Sequence, residues 1–348
     1  MPRLRRSDCS RPGIVRRRRG RGFEYLDEDG TRVDDEDALE RIRELAIPPA
    51  WTDVWICPYP YGHIQAVGTD AAGRRQYLYH QDWRRRRDRE KFEEMTRFAR
   101  ALPRLRARAA SDLRKRGLPR ERVLACAVRL LDRGFFRIGS EDYAEANQTY
   151  GLATMKRRHV TLGAAGLIRF DYTAKGGKRR LQSVVDPQVY RVVAALKERR
   201  GPGELLAYEV DGRCVDVGSD DINAYIKQVT EDDFSAKDFR TWNATVLAAV
   251  ALAVSGQAHG SKTGRQRAVA RAVKEVAHYL GNTPAVCRAS YIDPRVFDRF
   301  HDGFTIGGAL GELGEVELGE PATQGAVEEA VLDLLERDYA SEALERVA

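Results

Sequence analysis

The sequence predicts an α+β fold in two parts: a small N-terminal antiparallel β-sheet domain, then a larger, mainly α-helical domain with a small β-hairpin sheet. Three observations lead there. Short apolar and aromatic segments separated by Asp-Gly and Ala-Gly turns fill the early chain, as in a small antiparallel sheet. From about Asp88 the apolar period becomes helical, with Phe92, Met95, Phe98, Ala99 and Leu102 on one face. A chain of 348 residues with 43% hydrophobic content also exceeds one ordinary domain and can bury a sizeable core.

The elements follow in order. Residues 1–22 hold nine arginines and one aspartate with no apolar face, and read as a flexible basic arm. The sheet domain is assigned to 23–88, with strands at 23–25, 54–57, 64–67 and 76–79 and a helix at 35–46 stopped by Pro48 and Pro49. The helical domain is assigned to 89–310, with helices at 120–132, 141–151, 187–199, 220–230, 236–255, 266–280 and 284–290. Strand-like runs at 167–173 and 180–185 interrupt it, joined by the hairpin tip Ala174-Lys175-Gly176-Gly177-Lys178. A second pair, 205–210 and 213–217, turns at Asp211-Gly212. The remainder, 311–348, is an acidic tail with one amphipathic run near 327–336.

Composition narrows the function. Five scattered cysteines without a CxxC pair argue against a disulfide framework and a zinc site, and fit a reducing cytoplasm. The N-terminal arginines precede no apolar stretch of a secretory signal, and the apolar run 244–258 is shorter than a membrane span. The net charge of +7 conceals an asymmetry: residues 311–348 carry 11 acidic groups against 2 arginines, which leaves the other 310 residues at +16. Such an excess attracts polyanions, so nucleic acid is the expected partner.

The segment from Leu280-Gly281-Asn282-Thr283-Pro284 to Tyr291 has a legible grammar. Gly281 suits the left-handed position that closes a helix, Thr283 can cap the next one, and Pro284 suits its first position. Tyr291 follows about two turns later, and a tyrosine can hold a phosphoryl group as a covalent ester. Arg137 and Arg240, both flanked by aromatic residues, are candidates to stabilise the charge on a reacting phosphate, because arginine stays protonated and offers a planar fork to two oxygens. Lys175 at the hairpin tip is a candidate general acid; spacing alone does not prefer it to Lys178. Asn282 adds a neutral amide donor. No acidic metal cluster is evident, and 256–263 lacks the spacing of a phosphate-binding loop.

These residues carry a resemblance. Arg137-Ile-Gly-Ser-Glu141, Tyr150-Gly-Leu-Ala-Thr154, Lys237-Asp-Phe-Arg240-Thr-Trp242 and 280–291, in this order, closely resemble the bacterial poxvirus-like type IB DNA topoisomerases, which share a catalytic fold with tyrosine recombinases. Pro48-Pro-Ala-Trp51, Tyr61-Gly-His-Ile-Gln-Ala66 and 76–83 look like that family's DNA-clasping domain, so the likeness spans about 23–308. It implies that Tyr291 attacks the scissile phosphate to give a 3′-phosphotyrosyl link, that Arg137 and Arg240 hold the non-bridging oxygens, and that Lys175 rather than Lys178 is the general acid. It also implies that Asn282 stands where poxvirus enzymes have histidine, and that Gln76, Tyr77 and Tyr79 touch DNA. The implied enzyme relaxes supercoils without ATP, metal or other cofactor, acting on double-stranded DNA as a monomeric clamp in the cytoplasm, at the nucleoid. Two rivals remain. A tyrosine recombinase shares the chemistry but typically carries His-x-x-Arg and Leu-Gly-His where this chain has Lys237-Asp-Phe-Arg240 and Leu280-Gly-Asn282. The other is a non-catalytic basic DNA-binding protein.

Overall fold

Alternation organises the first sheet. β1 (Ile14–Arg19) turns Ile14 and Arg16 inward and Val15 and Arg17 outward, and pairs with β2 (Gly22–Leu26) and β3 (Thr52–Ile56). β4 (Ile64–Thr69) and β5 (Arg75–Tyr79) complete an antiparallel sheet of order β2-β1-β3-β4-β5. Helix α1 (Glu36–Glu44), capped by the Asp35 carboxylate, contributes Ile42 to a core with Ile14, Val54, Ile56 and Ala66. The expected flexible arm is therefore corrected in part: residues 14–19 are a paired strand, and Arg5 bridges to Gly62. The inward residue that hid the alternation is Arg16, which is buried because its guanidinium donates to the carbonyls of Ile47, Pro48 and Trp51 and lies 4.2 Å from the Phe23 ring.

This computed structural model describes residues 3–199, 203–255, 261–311 and 324–346. The chain divides into Met1–Glu93 and Glu94–Ala348, five residues beyond the expected boundary, within the long helix α2 (Gln81–Leu113). No helix among the described residues is long and apolar enough to cross a membrane. All five cysteines are free thiols.

In the second unit α3 (Arg120–Gly134) is buried along most of its length, and α4 (Glu141–Asn147) follows. The helix expected over 141–151 stops at Asn147 because Gly151 is needed in another role described below. β6 (Val160–Leu162), β7 (Leu167–Ala174) and β8 (Lys178–Val185) form a sheet in which Ile168, Phe170, Tyr172 and Ala174 face the core. After α5 (Pro187–Glu198) come the hairpin β9 (Ala207–Val210) and β10 (Arg213–Asp216), then α6 (Ser219–Thr230). The apolar α7 (Ala236–Val254) packs against α3 and against α8 (Lys262–Leu280). Residues 256–260, which include most of the dismissed phosphate-loop lookalike, lie outside the described residues.

The chain ends with α9 (Pro284–Ser290), α10 (Pro294–His301), β11 (Phe304–Thr305), α11 (Gly307–Leu310), α12 (Ala326–Glu336) and β12 (Glu345–Arg346), the last pairing with β11. The part of the expected acidic tail that is described is thus integrated into the second unit. Val327, Ala330, Val331, Leu334 and Leu335 are all buried, at the spacing of one apolar helix face. Glu328 reaches inward too: it accepts from Trp242 Nε1 at 2.7 Å and pairs with Arg106, which also forks onto Asp132. Burial opposes the charge of Arg106, but the two carboxylates hold its pKa above the usual value.

Candidate active site

Three backbone devices place the candidate residues. The first is the exit from α3, where Phe135 adopts a left-handed conformation (φ 54°) that bulky residues seldom take. Phe136 is then driven fully into the core, edge-on to Phe170 at 4.8 Å, and Arg137 emerges between anchored neighbours. The second is the contact of Gly139 (φ 83°) with Gly151: a Cβ on Gly151 would stand 2.4 Å from Gly139. That approach lets the Leu152 and Ala153 amides bond to the Arg137 and Ile138 carbonyls, each at 2.8 Å, which fixes the Arg137 backbone. Here the Tyr150-Gly151-Leu152-Ala153-Thr154 motif acquires its physical meaning.

The third device is the end of α8. Gly281 (φ 63°) and Asn282 donate to the His278 and Ala277 carbonyls, an arrangement that reverses the chain and needs the left-handed residue. Thr283 then caps α9, Pro284 opens it, and Tyr291 ends it, with its amide bonded to the Cys287 carbonyl at 3.0 Å. The buried hydroxyl of Thr245 on α7 donates to the Thr241 carbonyl at 2.9 Å and accepts from the Asp293 amide at 3.1 Å, with the Tyr291 carbonyl 3.4 Å away. One helix therefore carries both Arg240 and the hydroxyl that holds the Asp293 amide, two residues after Tyr291.

The side chains converge. Arg240 is buried, donates to the Phe135 carbonyl at 2.7 Å and the Leu280 carbonyl at 2.9 Å, and lies 5.2 Å from the centre of the Tyr291 ring. Its Nε has no hydrogen-bond partner among the described residues. Burial, with a smaller contribution from the Arg137 charge, lowers its pKa to about 10, so it still carries its proton at neutral pH. Arg137 donates to the Asn282 side-chain oxygen, whose amide nitrogen is buried without a partner among the described residues. Burial alone would raise the pKa of Tyr291; the charges of Arg240 and then Arg137, with hydrogen bonding from both, outweigh it and hold the phenol below its ordinary value.

Beside these residues lies a cleft of about 690 Å³ lined by Arg137, Tyr172, Lys175, Lys178, Arg180 and Asn282, among others. Lys175 opens the three-residue turn between the paired Ala174 and Lys178, with Gly176 and Gly177 both at positive φ. Arg180 went unnoticed in the sequence, hidden in a run of basic residues, and so did Thr245 and Glu328. Gln76, Tyr77 and Tyr79 belong to the first unit, on its edge strand β5. Tyr77 and Tyr79 are exposed and their rings stack, with centroids 6.2 Å apart, whereas Gln76 points to the other face and donates to Asp70. Among the described residues, no group of His, Cys, Asp and Glu is arranged to hold a metal ion.

The sequence is also similar to known proteins over most of its length. Residues 80–303 match the family described as eukaryotic DNA topoisomerase I, catalytic core, and residues 22–70 match the bacterial DNA topoisomerase IB N-terminal domain. The chain is 29% identical over 286 residues to DNA topoisomerase 1B of Acanthamoeba polyphaga mimivirus, covering 80% of this chain and 85% of that one. It is 22% identical over 275 residues to DNA topoisomerase 1B of vaccinia virus (strain Western Reserve), covering 77% of this chain and 84% of that one.

Proposed function

The chain belongs to the type IB DNA topoisomerase family, and we propose that Tyr291, Arg137, Arg240, Lys175 and Asn282 carry out its reaction. A type IB enzyme relaxes supercoiled duplex DNA by cutting and resealing one strand. In this reading the Tyr291 phenol gives its proton to solvent water, and the phenolate oxygen attacks the scissile phosphorus. The bond from phosphorus to the 5′ oxygen breaks, and its electron pair goes to that oxygen, which takes a proton from Lys175. The products are a 3′-phosphotyrosyl ester and a free 5′ hydroxyl, and after rotation of the downstream duplex the hydroxyl attacks back and releases Tyr291. The ester conserves the bond energy, so no nucleotide is consumed.

One observation carries the assignment of roles: the buried Arg240 guanidinium, fixed by the Phe135 and Leu280 carbonyls, lies 5.2 Å from the centre of the Tyr291 ring, where its charge and that of Arg137 favour the ionised phenol. Two fixed guanidiniums beside one phenol suit both the ionised nucleophile and the oxygens of a five-coordinate phosphate. Asn282 completes the oxyanion contacts as a neutral donor. Tyr77 and Tyr79, with Gln76 behind them, touch the duplex through the first unit, and one copy acts alone as a clamp.

Relaxation of a supercoiled plasmid without a recombination site, in EDTA and without ATP, tests this reading. A ladder of relaxed topoisomers with a detergent-trapped adduct is expected. Strand exchange that requires a specific site would favour a recombinase, and binding without any adduct would remove the enzymatic reading.

A further inference from the structure

We propose that Arg180 is a further phosphate-binding catalytic residue, supplying to a non-bridging oxygen of the scissile phosphate the positive charge that the neutral Asn282 cannot. The inference rests on the site reading above and adds a residue to it.

The surroundings of Arg180 differ from those of its neighbour on β8. Arg179 is exposed and forks onto Asp171 across the hairpin, so its charge is matched. Arg180 is half-buried in the cleft wall, opposite Tyr172 in the strand register. Its Nη2 donates to the Tyr279 carbonyl, and its Nη1 lies so close to Gly281 that a Cβ there would stand 2.5 Å away. The guanidinium therefore sits against the end of α8, one residue from Asn282. The helix terminus and the Tyr279 carbonyl engage part of the planar fork, and a guanidinium has five N–H donors in all.

Charge balance supports a role beyond packing. Among the described residues no carboxylate pairs with Arg137, Arg180 or Arg240, although all three border one site. Burial and then mutual repulsion lower the pKa of Arg240, and Arg137 acts on Arg180 in the same direction, after burial and partly offset by Tyr172. Like charges held together without an anion are costly in a partly desolvated cleft, and a bound phosphodiester relieves that cost. Asn282 touches Arg137 but, as an amide, brings no charge. Arg180 is the neighbouring group that does.

A purely structural Arg180 would cap α8 and nothing more, and chemistry at the phosphate separates the two roles. Single-turnover cleavage is measured for wild type, Arg180→Ala, Arg180→Lys, Asn282→His and Arg180→Ala/Asn282→His. The substrates are a duplex with the native scissile phosphate and its two methylphosphonate diastereomers, each lacking one non-bridging oxygen. Arg180→Ala should slow native cleavage about 10²-fold, the loss typical of one oxyanion donor, with DNA binding changed far less. On the diastereomer that lacks the contacted oxygen the penalty should largely vanish, Arg180→Lys should retain more activity, and Asn282→His should help the Arg180→Ala enzyme more than it helps wild type. An equal penalty on all three substrates, or no penalty, overturns the proposal. Should Arg180→Ala prove unfolded by its melting curve, Arg180→Lys decides on the same substrates. Failure of the site reading itself looks different: Tyr291→Phe would still form the adduct.

Discussion

Arg240 Nη1 donates to the carbonyl of Phe135 at 2.7 Å, so the strained left-handed exit of α3 and the buried guanidinium on α7 hold one another in place. The residue that leads into Arg137 thus also fixes Arg240. The second Arg240 bond, to the Leu280 carbonyl, ties in the turn that carries Asn282. Phe135 and Leu280 lie 105 and 40 residues from Arg240 in the chain, yet its guanidinium ties them into one unit, which is what a preorganised oxyanion site requires.

Removal of the Arg240 charge should therefore have two effects. Arg240→Ala is expected to slow single-turnover cleavage by about 10²–10³-fold, the range for loss of one oxyanion donor. It should also shift the pH dependence. Arg240 lowers the Tyr291 pKa, so the ionised phenol becomes available at lower pH in wild type than in the variant. The rise of cleavage rate with pH should move upward in Arg240→Ala, and an unmoved profile would show that Arg240 does not act on the nucleophile.

Lys175 and Lys178 flank the same glycine turn, and only the first is assigned proton donation. Lys175→Ala is expected to lose about 10²–10⁴-fold in cleavage rate, the usual range for general acid catalysis, and Lys178→Ala much less. A substrate with sulfur as the 5′ bridging atom has a leaving group that needs no proton. On it the Lys175→Ala deficit should shrink, and a deficit of unchanged size would assign Lys175 a different role.

Thr245 is fully buried, and its hydroxyl accepts from the Asp293 amide just after Tyr291. Thr245→Val keeps the shape and removes the hydroxyl, which leaves the Asp293 amide without its acceptor. A destabilisation of about 1–3 kcal/mol is expected from the unmet buried donor, read as a lowered denaturant midpoint. Cleavage should slow while DNA affinity holds, because the nucleophile rather than the duplex contact is displaced.

Glu328 joins the C-terminal helix to Trp242, two residues beyond Arg240, and to the Arg106–Asp132 pair. Glu328→Ala leaves the Trp242 N–H and part of the Arg106 fork unmatched in the core. A loss of about 1–3 kcal/mol is expected in equilibrium unfolding, with reduced cleavage. Unchanged stability would mean that α12 is held by its apolar face alone.

Much of this was legible in the sequence where local chemistry dictates the backbone. Gly281, Thr283 and Pro284 announce the end of one helix and the start of the next, because each residue suits one position and few others. The glycine turn at Lys175 and the apolar alternation of β7 were readable for the same reason. What escaped is non-local. Arg16 disguised a strand as a basic arm because its charge is satisfied by carbonyls 31–35 residues away. Arg180 looks like any other member of a basic run until the end of α8 is laid against it, and Glu328 looks like tail acidity until Trp242 and Arg106 are seen to claim it.

The central claim is that Tyr291 forms the covalent link to DNA. It is tested most directly by mass spectrometric mapping of the peptide left attached to DNA after reaction with a suicide substrate whose 5′ end diffuses away. The expected result is a 3′-phosphoryl adduct on Tyr291 alone, absent from Tyr291→Phe while that variant still binds the duplex. An adduct on any other residue, or one that survives the Tyr291→Phe change, would contradict it.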